Sequence, residues 1–256
     1  MKFDEVHTMV AGIPFISERK ARFLYEMIVN EKRTDILELG IAHGAATCYI
    51  AAALDELGEG LVTAVDLLTP EEDFDPSAEE LVTRCGLERY VDIVRMKTGY
   101  NWFLHDKIAE QTSVNECKEC YDLCIIDGPK NWTIDGAAFF LVDKLLVDGG
   151  KIIFDDYNWT YAEADSRRDV TDGITHRSLS AAERETPHIR EIVHLLVMQH
   201  PNYGKTIMLD DASWVIVEKE VGAERKTVVF ARTITLEEIL SRAVRFGRRG
   251  VHAGIR

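Results

Sequence analysis

The stretch Ile36-Leu-Glu-Leu-Gly-Ile-Ala-His-Gly44 decides the fold. A short apolar run, Asp35 to Leu39, meets a glycine at position 40, and a second glycine follows at position 44. An alanine-rich segment then runs to Gly58. That order predicts a strand, a tight turn and a helix closed by its C-terminal glycine. Gly40 permits the sharp turn, and Gly44 lets the helix pack closely on its neighbours.

Outward from this unit the same alternation repeats. Before it, Ser17 caps a helix to about Asn30 whose apolar stripe is Phe23, Leu24, Met27 and Ile28. After it come a strand Leu61 to Val65 closed by Asp66, a helix from Pro76 to Gly86, and a strand from Tyr90 to Met96. A strand Tyr121 to Ile126, a helix near Gly136 to Leu146 and a strand Gly150 to Phe154 complete the series. Strands alternating with helices at this spacing predict a parallel sheet with right-handed crossovers. Ile189 to Gln199 and Ser213 to Glu218 then read as two strands of an antiparallel closing hairpin. The expectation is a Rossmann-like α/β fold: a mostly parallel sheet of seven strands with helices on both faces. One domain accounts for all 256 residues, with a helical lead-in (1–33), a core (34–220) and a C-terminal extension (221–256).

Composition limits the partners. A formal net charge of −14 repels phosphate backbones, so nucleic acid is not expected. The basic residues Arg242, Arg245, Arg248, Arg249 and Arg256 read as a solvated or subunit-contacting tail, which leaves a homo-oligomer open. The chain has no apolar run of membrane-spanning length, and its N-terminus lacks the apolar core of a signal peptide. A cytoplasmic protein with reduced thiols at its five cysteines is the expectation. Cys117-Lys-Glu-Cys120 has zinc-knuckle spacing but no second pair.

Open α/β sheets bind ligands beyond the carboxyl ends of their strands. The turn Glu38 to Gly44 carries Ala42 where a pyrophosphate site needs glycine, and Glu38 sets a carboxylate near any anion. Both disfavour NAD or FAD and suit a nucleotide that carries an ammonium and a sulfonium. Asp66 can accept both ribose hydroxyls, and Gly99 leaves room for adenine beside Tyr100 or Asn101. The candidate cofactor-binding set is Glu38, Gly40, Ile41, Gly44, Asp66, Leu67, Asn101 and Asp127.

Acids end two further strands, Asp127 after the fourth and Asp155-Asp156 after the fifth. Three carboxylates in one cleft need a proton or a cation, and oxygen ligands alone favour Mg²⁺. A turn at Asp127-Gly128 and a helix cap at Asp155-Asp156 are the alternatives. Lys130, beside such an ion, would have a lowered pKa and serve as a general base, whereas a lone loop lysine is merely solvated. Trp132 and Trp159 would wall an aromatic or sugar ring, or else pack in the core.

These motifs resemble those of the metal-dependent O-methyltransferases of class I fold, a group that includes catechol O-methyltransferase and the macrolide and novobiocin sugar methyltransferases. The resemblance spans about residues 12 to 220 and rests on Glu38-Leu39-Gly40 with Gly44, Asp66, and the acids Asp127, Asp155 and Asp156. It implies S-adenosyl-L-methionine as cofactor, those three acids as Mg²⁺ ligands and Lys130 as the catalytic base. It also implies that Gly12 to Ser17 covers the cofactor. The acceptor would be a small hydroxylated molecule, a catechol or a sugar diol of secondary metabolism. The segment Trp159 to Pro187 departs from the catechol enzyme, with Asp172 to His176 read as a lid or subunit contact. A metal-free methyltransferase and a non-catalytic cofactor-binding protein are the competing readings.

Overall fold

The computed structural model describes residues 1–68, 74–165, 179–209, 213–222 and 227–231. Two helices lead in, α1 (Phe3–Val10) and α2 (Glu18–Glu31). The alternating series follows: β1 (Asp35–Leu39), α3 (Ala45–Leu57), β2 (Leu61–Leu67), α4 (Ala78–Cys85), β3 (Val91–Met96), α5 (Tyr100–Gln111), β4 (Tyr121–Ile126), α6 (Trp132–Asp143) and β5 (Leu146–Phe154). Three short helices, α7 (Tyr161–Asp165), α8 (Ala181–Glu185) and α9 (His188–Ile192), precede β6 (Tyr203–Leu209), β7 (Trp214–Lys219) and β8 (Thr227–Ala231). The strand order is β3-β2-β1-β4-β5-β7-β6-β8. The first five strands are parallel, β7 is antiparallel to β5 and β6, and β8 runs parallel to β6.

The strands alternate as the pleat requires. Ile36, Leu123, Ile125 and Ile153 face one side, where they pack with Leu24 and Ile28 of α2 and with α3. Leu37, Leu39, Cys124, Ile126, Ile152 and Phe154 face the other, under α5, α6 and α9. Each fully buried Leu or Ile contributes about 2 kcal/mol. Ser17 caps α2 through the Lys20 amide, and Gly58 closes α3 in a left-handed conformation.

Three expectations change. The sheet has eight strands, because Thr227–Ala231 adds an edge strand to β6. Residues Ile189 to Gln199 form helix, not strand: His188–Ile192 is α9, and a π-helical turn, Val193–Val197, continues it. The buried residues Ile189, Ile192, Val193 and Val197 fall at three- and four-residue spacings, so helical periodicity overrides the β-branched content. The partner of β7 in the hairpin is therefore Tyr203–Leu209. Finally, α6 begins at Trp132, a turn earlier than Gly136, because Asn131 caps it by accepting from the Thr133 and Ile134 amides. Leu146 belongs to β5. The segment Asp172 to His176 and the arginine tail lie outside the described residues.

Lys219 is buried at the far end of the sheet. Its ammonium donates to the Asp143 and Leu146 carbonyls, both at 2.7 Å, and to Glu119 at 2.8 Å. Lys219→Met should leave these acceptors unsatisfied and cost about 2–4 kcal/mol in chemical denaturation. An unchanged midpoint would show that the tie between α6, β5 and β7 carries no stability.

Candidate active site

Four strands deliver their ends to one level. Leu39 pairs with Val65 and Ile126, and Ile126 pairs with Phe154. The next residues, Gly40, Asp66, Asp127 and Asp155, therefore stand side by side at the carboxyl edge. Strand order reverses between β1 and its neighbours β2 and β4, the place where such sheets bind ligands.

The turn after β1 is held from two directions. Gly40 has φ +91°, and a Cβ there would lie 2.3 Å from the Asp127 carbonyl oxygen. At Gly44 a Cβ would fall 2.7 Å from that of Ala78 on α4. Ala42 adopts φ +46°, a left-handed conformation that costs a non-glycine residue about 1–2 kcal/mol. Asp66 ties the turn down: Oδ2 accepts from the Ile41 and Ala42 amides at 2.8 and 2.9 Å, and Oδ1 from the Leu67 amide at 2.7 Å. The carboxylate expected to hold a ribose thus also holds the loop, and Oδ1 keeps a lone pair for a hydroxyl. Glu38 is buried and accepts from Thr47 Oγ1 at 2.7 Å. Burial, then the nearby Asp127 and Asp66, push its pKa up to about 8.

The rim is apolar. Phe15 stacks on His43 with centroids 5.7 Å apart, so the segment Gly12 to Ser17 reaches the glycine turn. Leu67 is exposed, and its Cδ2 would lie 4.0 Å from a Cβ at Gly99. Tyr100 is buried and donates to Asp135, which removes it from any adenine face. Asn101 donates to the Ile134 carbonyl at 3.0 Å, while its buried Oδ1 has no partner.

The loop Asp127 to Asn131 is clamped. A Cβ at Gly128 would lie 2.1 Å from Tyr100 Oη, so the Tyr100–Asp135 pair demands glycine there. Asp135 accepts from the Asn131 amide at 2.6 Å, and Tyr161 Oη donates to the Pro129 carbonyl at 2.7 Å. Lys130, at φ +58°, points its ammonium to Asp127 at 2.7 Å and to Asp156 at 3.5 Å. Burial lowers its pKa, but Asp127, Asp156 and Asp155 outweigh that and hold it above the usual lysine value. The sequence expectation of a lowered pKa presumes a divalent ion beside Lys130; facing the carboxylates alone, Lys130 is an ammonium. Asp127 is itself raised, by burial and by the other two acids, against the pull of Lys130.

One residue the sequence reading missed completes the edge. Lys20, on α2, donates to Asp155 at 2.6 Å, and Asp155 also accepts the Asp156 amide at 2.5 Å. Asp155 is buried and Lys20 largely so, with side chains 8% and 16% exposed. The only hint in the sequence is a lysine in the first turn of a helix, where the macrodipole disfavours a cation. All three acids expected to ligate Mg²⁺ thus face ammonium groups. Among the described residues, no three His, Cys, Asp or Glu side chains are grouped so as to hold a metal ion. As these side chains stand, the donor set does not fit a divalent ion.

A cavity of about 340 Å³ opens beside this loop, lined by Asn131, Trp132, Thr133, Leu179, Ala182, Glu183, Thr186, His188, Glu191 and Leu195. His188 braces it: Nδ1 accepts from the Trp132 amide at 3.0 Å, and Nε2 donates to the Glu183 carbonyl at 2.8 Å. Trp132 lines the cavity, whereas Trp159 packs edge-on against Tyr161 at 4.8 Å. The structure does not bring the two tryptophans together as walls of one pocket. Among the described residues, no helix is long and apolar enough to cross a membrane.

Residues 37–157 match the family model described as a methyltransferase domain. The fold is shared with solved methyltransferases at low identity. An O-methyltransferase from Bacillus cereus, solved with S-adenosylhomocysteine, is 19% identical with a TM-score of 0.55, over 86% of this chain and 92% of that one. A methyltransferase from Podospora anserina, also bound to S-adenosylhomocysteine, is 14% identical with a TM-score of 0.56, over 85% and 86%. The O-methyltransferase of tomaymycin synthesis from Streptomyces achromogenes, solved with S-adenosylmethionine, is 13% identical with a TM-score of 0.54, over 85% and 89%. No curated protein matches the chain in sequence.

The buried acid in the first strand makes a prediction about pH. A carboxyl whose pKa is raised by folding supports the fold fully below its ordinary value, and that support is lost as pH rises through about 8. Glu38→Gln keeps the neutral acceptor for Thr47, so its thermal advantage over the parent should grow from mild acid to about pH 8 and then level off. Melting curves across that range check it. An advantage independent of pH would contradict the raised pKa.

Proposed function

We propose that this chain, with its methyltransferase domain at residues 37–157, transfers the methyl group of S-adenosyl-L-methionine to a hydroxyl oxygen of a small molecule. The observation that carries the reading is the level row of strand ends, Gly40, Asp66, Asp127 and Asp155, at the switch point of the sheet. Asp66 would accept a ribose hydroxyl through Oδ1, and Asn101 stands beside Gly99 at the start of α5, where adenine would lie. Asp66 and the acids that end β4 and β5 supply the negative field that suits an ammonium and a sulfonium. Three of the solved proteins that share the fold hold this cofactor or its demethylated product, which agrees with the assignment.

The acceptor would bind in the cavity beside Trp132 and present its oxygen to the Asp127–Lys130 pair. In the transfer, the acceptor oxygen attacks the methyl carbon as the carbon–sulfur bond breaks, and sulfur keeps the bonding pair. The acceptor proton passes to Asp127, whose raised pKa suits it as a base near neutrality. Lys130 donates a hydrogen bond to the acceptor oxygen and steadies its developing charge. The rate gain would come from aligning oxygen, methyl and sulfur, because the sulfonium is already an activated leaving group. A Mg²⁺-assisted form of the same reaction is the second reading. Its support is the three acids, and it requires Lys20 and Lys130 to leave them.

Calorimetric titration tests the cofactor. S-adenosylmethionine should bind at one site per chain, and absence of any heat or saturation would overturn the reading. Lys130→Met should keep that binding and slow methyl transfer to catechol or a sugar diol by about a hundredfold. Undiminished transfer would remove Lys130 from the chemistry.

A further inference from the structure

We propose that Lys20 is a resident counterion, fixed beside Asp155 where a divalent ion would otherwise bind, and that it makes this strand edge independent of metal. The ammonium stands 2.6 Å from Asp155, with both side chains largely withdrawn from water. A buried pair of this kind is costly to break from one side, because the remaining charge has no solvent to replace its partner. A second contact fixes the position: Lys20 Nζ lies 5.4 Å from the centroid of the Trp214 ring. The helix that presents it is anchored by Leu24 and Ile28, both in the core. Lys20 also sits in the first turn of α2, against the helix dipole, so the acid at the strand end is what stabilises a cation there. A divalent ion bound at Asp155 would stand next to the Lys20 ammonium, and their repulsion would oppose it.

The inference rests on the methyl-transfer reading only in taking this edge as the acceptor side. Its test does not depend on that reading. Terbium(III), a hard cation that seeks carboxylates, would emit by energy transfer from Trp214 if it took the place of the ammonium. The whole chain as isolated should show no saturable tryptophan-sensitised emission, and added Mg²⁺ should not shift its melting temperature beyond a matched NaCl control. Lys20→Met, and Lys20→Gln as the variant less dependent on apolar packing, should gain one saturable terbium site at least about tenfold tighter than the parent. Mg²⁺ should displace it, and Asp155→Asn added to either variant should remove it. A parent protein that already binds terbium at one site, lost in Asp155→Asn alone, would overturn the proposal. So would either Lys20 variant that keeps its circular dichroism spectrum but gains no site. Failure to bind S-adenosylmethionine would count against the methyl-transfer reading and leave this result untouched.

Discussion

Aspartates that end adjacent parallel strands cannot all remain ionised in a partly buried cleft unless positive charge is brought to them. The register of β1, β4 and β5 imposes that condition, because pairing Leu39 with Ile126, and Ile126 with Phe154, sets Asp127 and Asp155 level, with Asp156 one residue on. The molecule meets it from within. Lys130 reaches two of the acids from their own loop, and Lys20 reaches the third from a helix 135 positions earlier in the chain. Two ammonium groups against three carboxylates leave an excess of negative charge, with Asp66 close by. Burial and that excess raise Asp127, the same acids outweigh burial to raise Lys130, and theirs is the field a cationic cofactor would enter.

The surrounding backbone is shaped to hold this arrangement. Gly40 is where β1 turns across the Asp127 carbonyl, and Gly128 is where the next loop passes the buried Tyr100–Asp135 pair. Neither position admits a side chain without displacing the acids. Asp66 links the two halves of the site, since its carboxylate holds the amides of Ile41 and Ala42 while lying at the place where a ribose would bind. Cofactor binding and the conformation of the glycine turn are therefore coupled through one side chain. On the other flank, His188 joins the start of α6 to the short helices that wall the cavity, so the cavity and the loop Asp127 to Asn131 share a support.

Much of this was legible in the sequence. The run Ile36 to Gly44 and the acids after each apolar strand set the parallel half of the sheet and its functional edge, because period, turn chemistry and strand-end position are local properties. The antiparallel half was less legible. Ile189 to Val197 carries enough Ile and Val to read as strand, yet it packs as a helix on α6, and tertiary packing decides such short apolar runs. The strand Thr227–Ala231 lies at the sheet edge and has an exposed pattern with no periodic signal. Lys20 was invisible for a different reason: its meaning depends wholly on contact with Asp155, which no spacing reveals. The direction of the Lys130 shift likewise depends on the charge sum of the cleft and not on the lysine's own neighbours in sequence.

The central claim is that the chain balances its strand-end acids with its own lysines and uses the edge to hold a methyl donor. A crystal structure grown with S-adenosylhomocysteine and excess Mn²⁺, with anomalous data at the manganese edge, tests it directly. The account predicts the nucleoside over the Gly40 turn, Lys20 on Asp155, and no anomalous peak among Asp127, Asp155 and Asp156. A manganese peak there with Lys20 swung away would contradict it.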